Sequence, residues 1–299
     1  MAQKLTEKKR RGDRSDAYKI RDIDPMHYIM AVVTPGRCNN EAYISETVDL
    51  ANLNAYLAKK NENETEFKYT MFHVIVTAFL KVLKLRPKMN RFIYDNAIYQ
   101  RKFQSASFVV KKKFADNGEE GTAVVYAKDE DTIDTIHEYL REVITKERSV
   151  QEGSGDNGTL KAMEIFSSMP KPISVSLLHA LMWMDKHDMV PDWIISQEPY
   201  HHSLVISNVG SFGLHCGYHH LLEWGTNSLF CLIGEKEVRP VFQKDGSYEM
   251  REMVDLGITI DERLADGYYY AKSIKLLQYL LQHPEELEKP LGEEVDYNA

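Results

Sequence analysis

From Tyr248 to Ile260 the chain alternates, the pattern of a strand with one buried face. It then breaks into Asp261-Glu262-Arg263-Leu264-Ala265-Asp266-Gly267. From about Tyr268, Ala271, Ile274, Leu277 and Leu281 recur at helical spacing as far as Gln282. A long strand, a tight turn and an amphipathic helix in direct succession require a sheet with a helix laid against it. Asp266-Gly267 is a good helix N-cap, because the carboxylate accepts a hydrogen bond from the first turn.

The rest of the chain mixes the two periods. Tyr28 to Thr34 is a short apolar run closed by Pro35-Gly36 and reads as a strand and turn. Tyr43 to Leu50 alternates and reads as a strand. Asp49 or Asn52 is placed to cap the helix carrying Leu53, Tyr56 and Leu57. Thr70 to Leu85 is a helix with a stripe of Phe72, Val76, Phe79, Leu80 and Leu83, stopped by Arg86-Pro87. Strands follow at 91–94, 97–103, 106–113 and 121–127. A helix spans 132–146, with Ile133, Ile136, Leu140 and Ile144 on one face.

Residues 153–158 read as a flexible loop, and helical patterns return at 160–167 and 173–186. After Pro191 come strands at 203–207, 228–233, 238–243 and 248–260. The order is not a strict strand–helix alternation, so the fold class is α+β, one sheet covered by helices. The expected organisation is an N-terminal basic arm (1–24), one domain (25–290) and an acidic tail (291–299).

Composition narrows the function classes. The 299 residues carry a net charge of −8, which argues against a nucleic-acid-binding surface. Lys4, Lys8, Lys9, Arg10, Arg11 and Arg14 crowd the start of the chain, and such runs are usually solvated or drape a neighbouring subunit. Cys38, Cys216 and Cys231 are odd in number and lack framework spacing, which points to a reducing, cytoplasmic setting. No apolar run approaches the ~18 residues of a membrane helix, and no signal-peptide core follows the basic start. Neither a membrane nor a nucleic-acid partner is expected.

Two ordered motifs carry a family resemblance. Ile206-Ser207-Asn208-Val209-Gly210-Ser211-Phe212-Gly213 resembles the Ser-Asn-x-Gly-x-x-Gly segment of dihydrolipoyl acyltransferase catalytic domains. Asp261–Gly267 resembles the His-Arg/Ala-x-x-Asp-Gly signature of the chloramphenicol acetyltransferase and dihydrolipoyl acyltransferase superfamily, with Glu262 at the histidine position. Between them, Cys231–Lys236 and Arg239-Pro240-Val241-Phe242 are similar to an apolar strand ending in Gly and a basic-Pro strand. The resemblance extends over roughly 18–290 and is strongest over 203–283.

It implies a chloramphenicol-acetyltransferase-like two-layer fold, a mixed sheet covered by helices. It also implies a homotrimer with active sites between subunits, coenzyme A or acyl-CoA as co-substrate, and a small-molecule acyl acceptor. Ser207 takes the oxyanion-hydroxyl position, Asp266 the orienting aspartate and Arg263 the motif arginine. No lipoyl-like domain or Ala/Pro-rich linker is visible, so a complete dihydrolipoyl acyltransferase is not expected.

Acyl transfer needs a base for the acceptor's proton and a donor for the tetrahedral oxyanion. Taking a proton from a thiol with an unperturbed glutamate crosses a gap of about 4 pKa units, roughly 6 kcal/mol uphill. Burial raises a glutamate toward neutrality, where it suits a hydroxyl or amine acceptor. The candidate catalytic residues are therefore Glu262, Ser207, Asp266 and Arg263, with Asn208, His219 and His220 as substrate contacts.

Each has a plain structural alternative: turn residues for Ser207 and Asn208, a cap for Asp266, a solvated side chain for Arg263. His201, His202, His215, His219 and His220 cluster about the serine motif as packing or surface residues, or as a replacement base. His215-Cys216-x-x-His219-His220 offers zinc-compatible ligands, but Gly213 and Gly217 oppose a regular helix there, so no metal is expected. The leading expectation is an acyl-CoA-dependent acyltransferase with altered base chemistry. The alternatives are a silent trimeric scaffold or ligand-binding protein, and a metal or ligand sensor using the histidines.

Overall fold

A computed structural model describes residues 10–64, 66–111, 120–149, 165–196 and 198–297. The expected 153–158 loop, most of the 160–167 helix and Lys4, Lys8 and Lys9 lie outside them. The main sheet has six strands, β2 (Glu41–Asp49), β5 (Gln104–Lys111), β6 (Glu120–Ala127), β7 (Leu204–Asn208), β8 (Leu229–Phe242) and β9 (Tyr248–Asp261). Their order is β2-β9-β8-β7-β5-β6. β7 runs parallel to β5 and to β8, and the other pairs are antiparallel. A smaller sheet joins β1 (Ala17–Lys19), β4 (Ala97–Arg101) and β3 (Arg91–Tyr94), in that order.

One face of the main sheet meets the helices. Alternation sends Phe108, Ile206, Cys231, Ile233, Leu256 and Ile258 into one core with α2 (Ala51–Lys60), α3 (Met71–Leu85), α4 (Ile133–Ser149) and a C-terminal helix, Gly267–Gln282. α3 is its centre and is buried continuously from His73 to Leu83. The opposite face presents Val205, Phe230 and Leu232, covered by Leu221 and the crossing segment 209–227. The α+β, helix-covered mixed sheet expected from the sequence is the observed architecture.

Two local expectations need correction. Tyr28–Thr34 is not a strand: α1 (Pro25–Val33) is a helix whose N-cap Asp24 accepts from the Met26 N–H at 2.9 Å. Proline at the first helical position favours that start. The separate strands at 228–233 and 238–243 are one, β8, continuing through a bulge between Ile233 and Lys236. Past Ile233, β9 is the one partner of β8 among the described residues, so Pro240 is tolerated there.

The basic start is partly built in. Arg14 is buried, not solvated, and donates to Asp185 on α5 (Lys171–Lys186) through Nη2 at 3.0 Å and to the Asp185 carbonyl through Nη1 at 2.9 Å. Asp185 also accepts from the Tyr94 hydroxyl (2.7 Å) and Trp224 Nε1 (3.0 Å), and lies 3.1 Å from His201 Nε2. Burial alone would raise its pKa, but the His201 and Tyr94 bonds and the Arg14 charge hold the carboxyl well below the usual range. No helix among the described residues is long and apolar enough to cross a membrane.

Candidate functional site

Ser207, the last residue but one of β7, lies on the face away from the helices, sharing that face with Val205. It is half-buried, and its hydroxyl has no hydrogen-bond partner among the described residues. Asn208 is a turn residue: its Oδ1 accepts from the Ser211 N–H at 3.2 Å, and its carbonyl from the Ser211 hydroxyl at 2.7 Å. The turn folds back on β8, where a Cβ at Gly210 would overlap the Gly234 carbonyl. Gly213 follows with φ of 72°, a left-handed position suited to glycine.

The chain then crosses back over the sheet. A Cβ at Gly234 would crowd the Cys216 backbone, and one at Gly257 would overlap the Gly217 carbonyl oxygen. Two missing side chains thus open the track for residues 216–218. Along it the His219 ring stacks on Phe230 with centroids 4.3 Å apart, and its Nδ1 lies 2.7 Å from the His220 carbonyl. His220 Nδ1 lies 3.0 Å from the Leu221 carbonyl.

Beyond β9, Glu262 and Arg263 part company. Arg263 is fully buried in a two-bond pair with Asp261, Nε–Oδ1 2.8 Å and Nη2–Oδ2 2.6 Å. Its Nη1 donates to the carbonyls of Thr34 (2.7 Å) and Pro35 (3.2 Å), and its own carbonyl lies 2.9 Å from His27 Nδ1. This arginine ties the end of α1 to the end of β9, so neither the solvated reading nor a free catalytic guanidinium describes it. Glu262, on the single 3-10 turn Glu262–Leu264, is exposed and has no hydrogen bond or ion pair among the described residues. Asp266 caps the C-terminal helix, accepting from the Tyr269 N–H at 2.8 Å, a bond that holds its carboxyl below the usual range.

Register measures how far apart the candidates lie. Ser207 is opposite Leu232, which is opposite Gly257. Glu262 is five positions past Gly257, about 17 Å along a strand, and two strand spacings aside, about 10 Å. The two are therefore roughly 19 Å apart within one chain, too far to share one reacting carbonyl. His219, over Phe230, lies closer to Ser207, roughly 8 Å by the same spacings.

The remaining histidines divide by environment. His201 is fully buried, with Glu198 at 2.5 Å from Nδ1 and Asp185 on Nε2. Burial opposes its charge, but the two carboxylates raise its pKa. His202 is fully buried against Tyr126, and burial pushes it down to about 3. Both are packing residues. A hollow of about 450 Å³ bordered by Tyr56, Lys59, Tyr69, Asp134 and Glu288 lies on the helix layer, the opposite side of the sheet from Ser207.

Residues 195–288 match the family of 2-oxoacid dehydrogenases acyltransferase (catalytic domain). The chain is similar in structure to a probable dihydrolipoamide acetyltransferase from Listeria monocytogenes at TM-score 0.56 and 17% identity, covering 89% of this chain and 95% of that one. This is the fold of the chloramphenicol acetyltransferase and dihydrolipoyl acyltransferase superfamily. The cubic core of the pyruvate dehydrogenase multienzyme complex matches at TM-score 0.56 and 16% identity, covering 90% and 95% of the two chains. A chloramphenicol acetyltransferase matches at 0.55 and 13%, covering 89% and 99%. No curated protein sequence matches the chain. Within this acyltransferase-like fold the matched segment contains Ser207, Asn208, His219, His220, Glu262, Arg263 and Asp266.

Sequence reasoning missed three features here. A carboxylate partner for Arg263 was within reach of the sequence, but its bonds to the Thr34 and Pro35 carbonyls were hidden because those acceptors lie far back in the chain. The Asp185 network joins segments with no common motif. The approach of His215 to Glu235 and Glu237 depends on the β8 bulge, which no residue pattern announced.

Proposed function

We propose that the protein transfers an acyl group from coenzyme A to a hydroxyl, amine or thiol acceptor, at a site completed by a second copy of the chain in a homotrimer. The carrying observation is the separation of roughly 19 Å between Ser207 and Glu262 in one chain. Two groups meant for one carbonyl, each near a strand end and neither hydrogen-bonded through its side chain among the described residues, suit a site between neighbours. The three cysteines, all free, fit a reducing cytoplasm.

In this reading the acceptor atom bonds to the thioester carbonyl carbon and the C=O electron pair moves onto oxygen. Ser207 donates a hydrogen bond to that oxyanion. Collapse breaks the C–S bond, and the acceptor's proton ends on the coenzyme A sulfur. Glu262, or His219 in its place, carries the proton. Asp266 holds the helix start behind Glu262, and Arg263 holds the turn through Asp261. Asn208 shapes the Ser207 turn, leaving His219 and His220 to border the substrate.

Acetyl-CoA calorimetry on the native protein, Ser207→Ala and Glu262→His tests this. Micromolar binding by the native chain, with transfer impaired in Ser207→Ala, supports it. Absence of binding in all three removes it. The second reading, a silent trimeric scaffold, is favoured by one observation: among the described residues no hydrogen bond or ion pair orients Glu262 as a base. A large gain of transferase or thioesterase activity in Glu262→His over an inert native protein would support that reading.

A further inference from the structure

We infer that His215, Glu235 and Glu237 form a binding site for a divalent transition-metal ion of the zinc type, independent of acyl transfer. His215 Nδ1 lies 2.6 Å from Glu237 Oε1 and 3.1 Å from Glu235 Oε1, and one donor atom from each residue falls within 4.8 Å of the others. Bonds of about 2.0–2.1 Å place neighbouring ligand atoms about 3.0–3.4 Å apart. A shift of under about 1 Å in the nearer pair thus admits an ion. One imidazole and two carboxylates suit zinc, manganese or nickel better than magnesium or calcium, which prefer all-oxygen sets.

The backbone brings these donors together. Ile233 faces the helices, yet Glu237 lies on the opposite face with Asp255, because the bulge between Ile233 and Lys236 changes the parity of β8. The crossing segment that carries His215 is fastened to β8: the Glu235 N–H donates to the Leu214 carbonyl at 3.0 Å. Gly234, with no Cβ, lets the Cys216 backbone lie against β8 immediately afterwards.

The Glu237 carboxylate is oriented as well. Arg239 Nε takes its Oε2 at 2.8 Å, while both Arg239 terminal nitrogens are held by Asp255 at 2.9 and 2.6 Å. That leaves Oε1 turned to His215, as outer partners orient metal ligands elsewhere. Arg239 and His215 each engage one oxygen of the Glu237 carboxylate, which fixes the plane of the carboxylate. The His215 side chain is 78% exposed, so water supplies the open coordination positions. The ion takes the place of the hydrogen on Nδ1, and the neutral imidazole carries its single proton on Nε2.

This site differs from the His215-Cys216-x-x-His219-His220 set weighed from sequence. His219 is committed to Phe230 and His220 to the Leu221 carbonyl, and the other two donors come from β8.

The test is calorimetric titration of chelator-treated, tag-free protein with zinc chloride, with cobalt(II) absorption as the second readout. One ion per chain at roughly micromolar affinity is expected, with His215→Ala and Glu237→Gln each weakening it at least about tenfold. The double variant His219→Ala/His220→Ala should retain the native affinity. Circular dichroism melts confirm that each variant is folded. No stoichiometric binding by the native protein, affinity undiminished in His215→Ala, or affinity abolished in the His219/His220 double variant overturns the assignment.

Discussion

Lowering the pH should loosen the helix layer through His73. This residue sits at the third position of α3 and closes a capping box: its Nδ1 accepts from the Thr70 N–H at 3.0 Å. Its Nε2 is buried without a hydrogen-bond partner among the described residues, and so are both ring nitrogens of His137, whose ring stacks on Tyr69 at 3.7 Å and lies 4.9 Å from His73. Burial first, and His137 second, push the His73 pKa down to about 3.

In the unfolded chain the value returns to about 6.5, so between these limits the unfolded state binds more protons. Stability is therefore full above pH ~6.5 and falls as the pH drops through it. At pH 5 the difference in protonation amounts to about 2 kcal/mol relative to pH 7.5.

His73→Gln isolates this contribution, since glutamine keeps a capping acceptor at that helix position and never titrates. Denaturant unfolding at pH 7.5, 6.5 and 5.0, at fixed protein concentration, gives the comparison. The native protein should lose about 2 kcal/mol more than the variant over that range. Equal losses would show that His73 is hydrated or ionised in the folded chain and would refute the reasoning. His202, also about 3, adds to the loss in both proteins, and His201, raised, opposes it in both, so neither affects the difference.

Replacing Asp261 by Asn should cost about 3–5 kcal/mol, because Arg263 would remain buried without its counter-charge; a denaturant midpoint with unchanged slope measures it. Asp266→Ala should lower Tm by about 2 °C, while Asp266→Asn, which keeps the cap acceptor, should hold it; equal losses would argue against the capping role. Gly257→Ala should displace the Gly217 backbone and cost about 1–3 kcal/mol, read as a lower Tm and a changed environment for Tyr218, which now lies 5.1 Å from Tyr43. Light scattering should give three times the mass of one chain, and a monomer would remove the shared-site reading.

Much of this architecture was legible because periodicity records burial. α3, α4 and β9 alternate or stripe as their packing demands, and Asp266 reads as a cap because capping is local. The failures were contests between local signals and distant partners. Tyr28–Val33 is β-rich in composition, but the Asp24-Pro25 start decides for helix. Gly234 looked like a strand end, yet β9 carries β8 past it. Arg263 read as a catalytic candidate or a solvated side chain, because its carbonyl partners, Thr34 and Pro35, are remote in sequence. At the candidate site the residue types were readable and their mutual distances were not. The separation of Ser207 from Glu262 follows from register, and register is set by pairing among strands far apart in the chain.

Arg14 and Asp185 are 171 residues apart in sequence, and Tyr94 and Asp185 are 91 apart. Contacts across such spans close late, after the sheet has brought their carriers together. One buried carboxylate thereby acts as a checkpoint on assembly. Its four side-chain contacts are complete only when the first segment, the small sheet, α5, the turn before β7 and the crossing segment have all arrived. Until then an uncompensated charge sits where a folded chain cannot tolerate one, and half-built forms are driven back toward disorder.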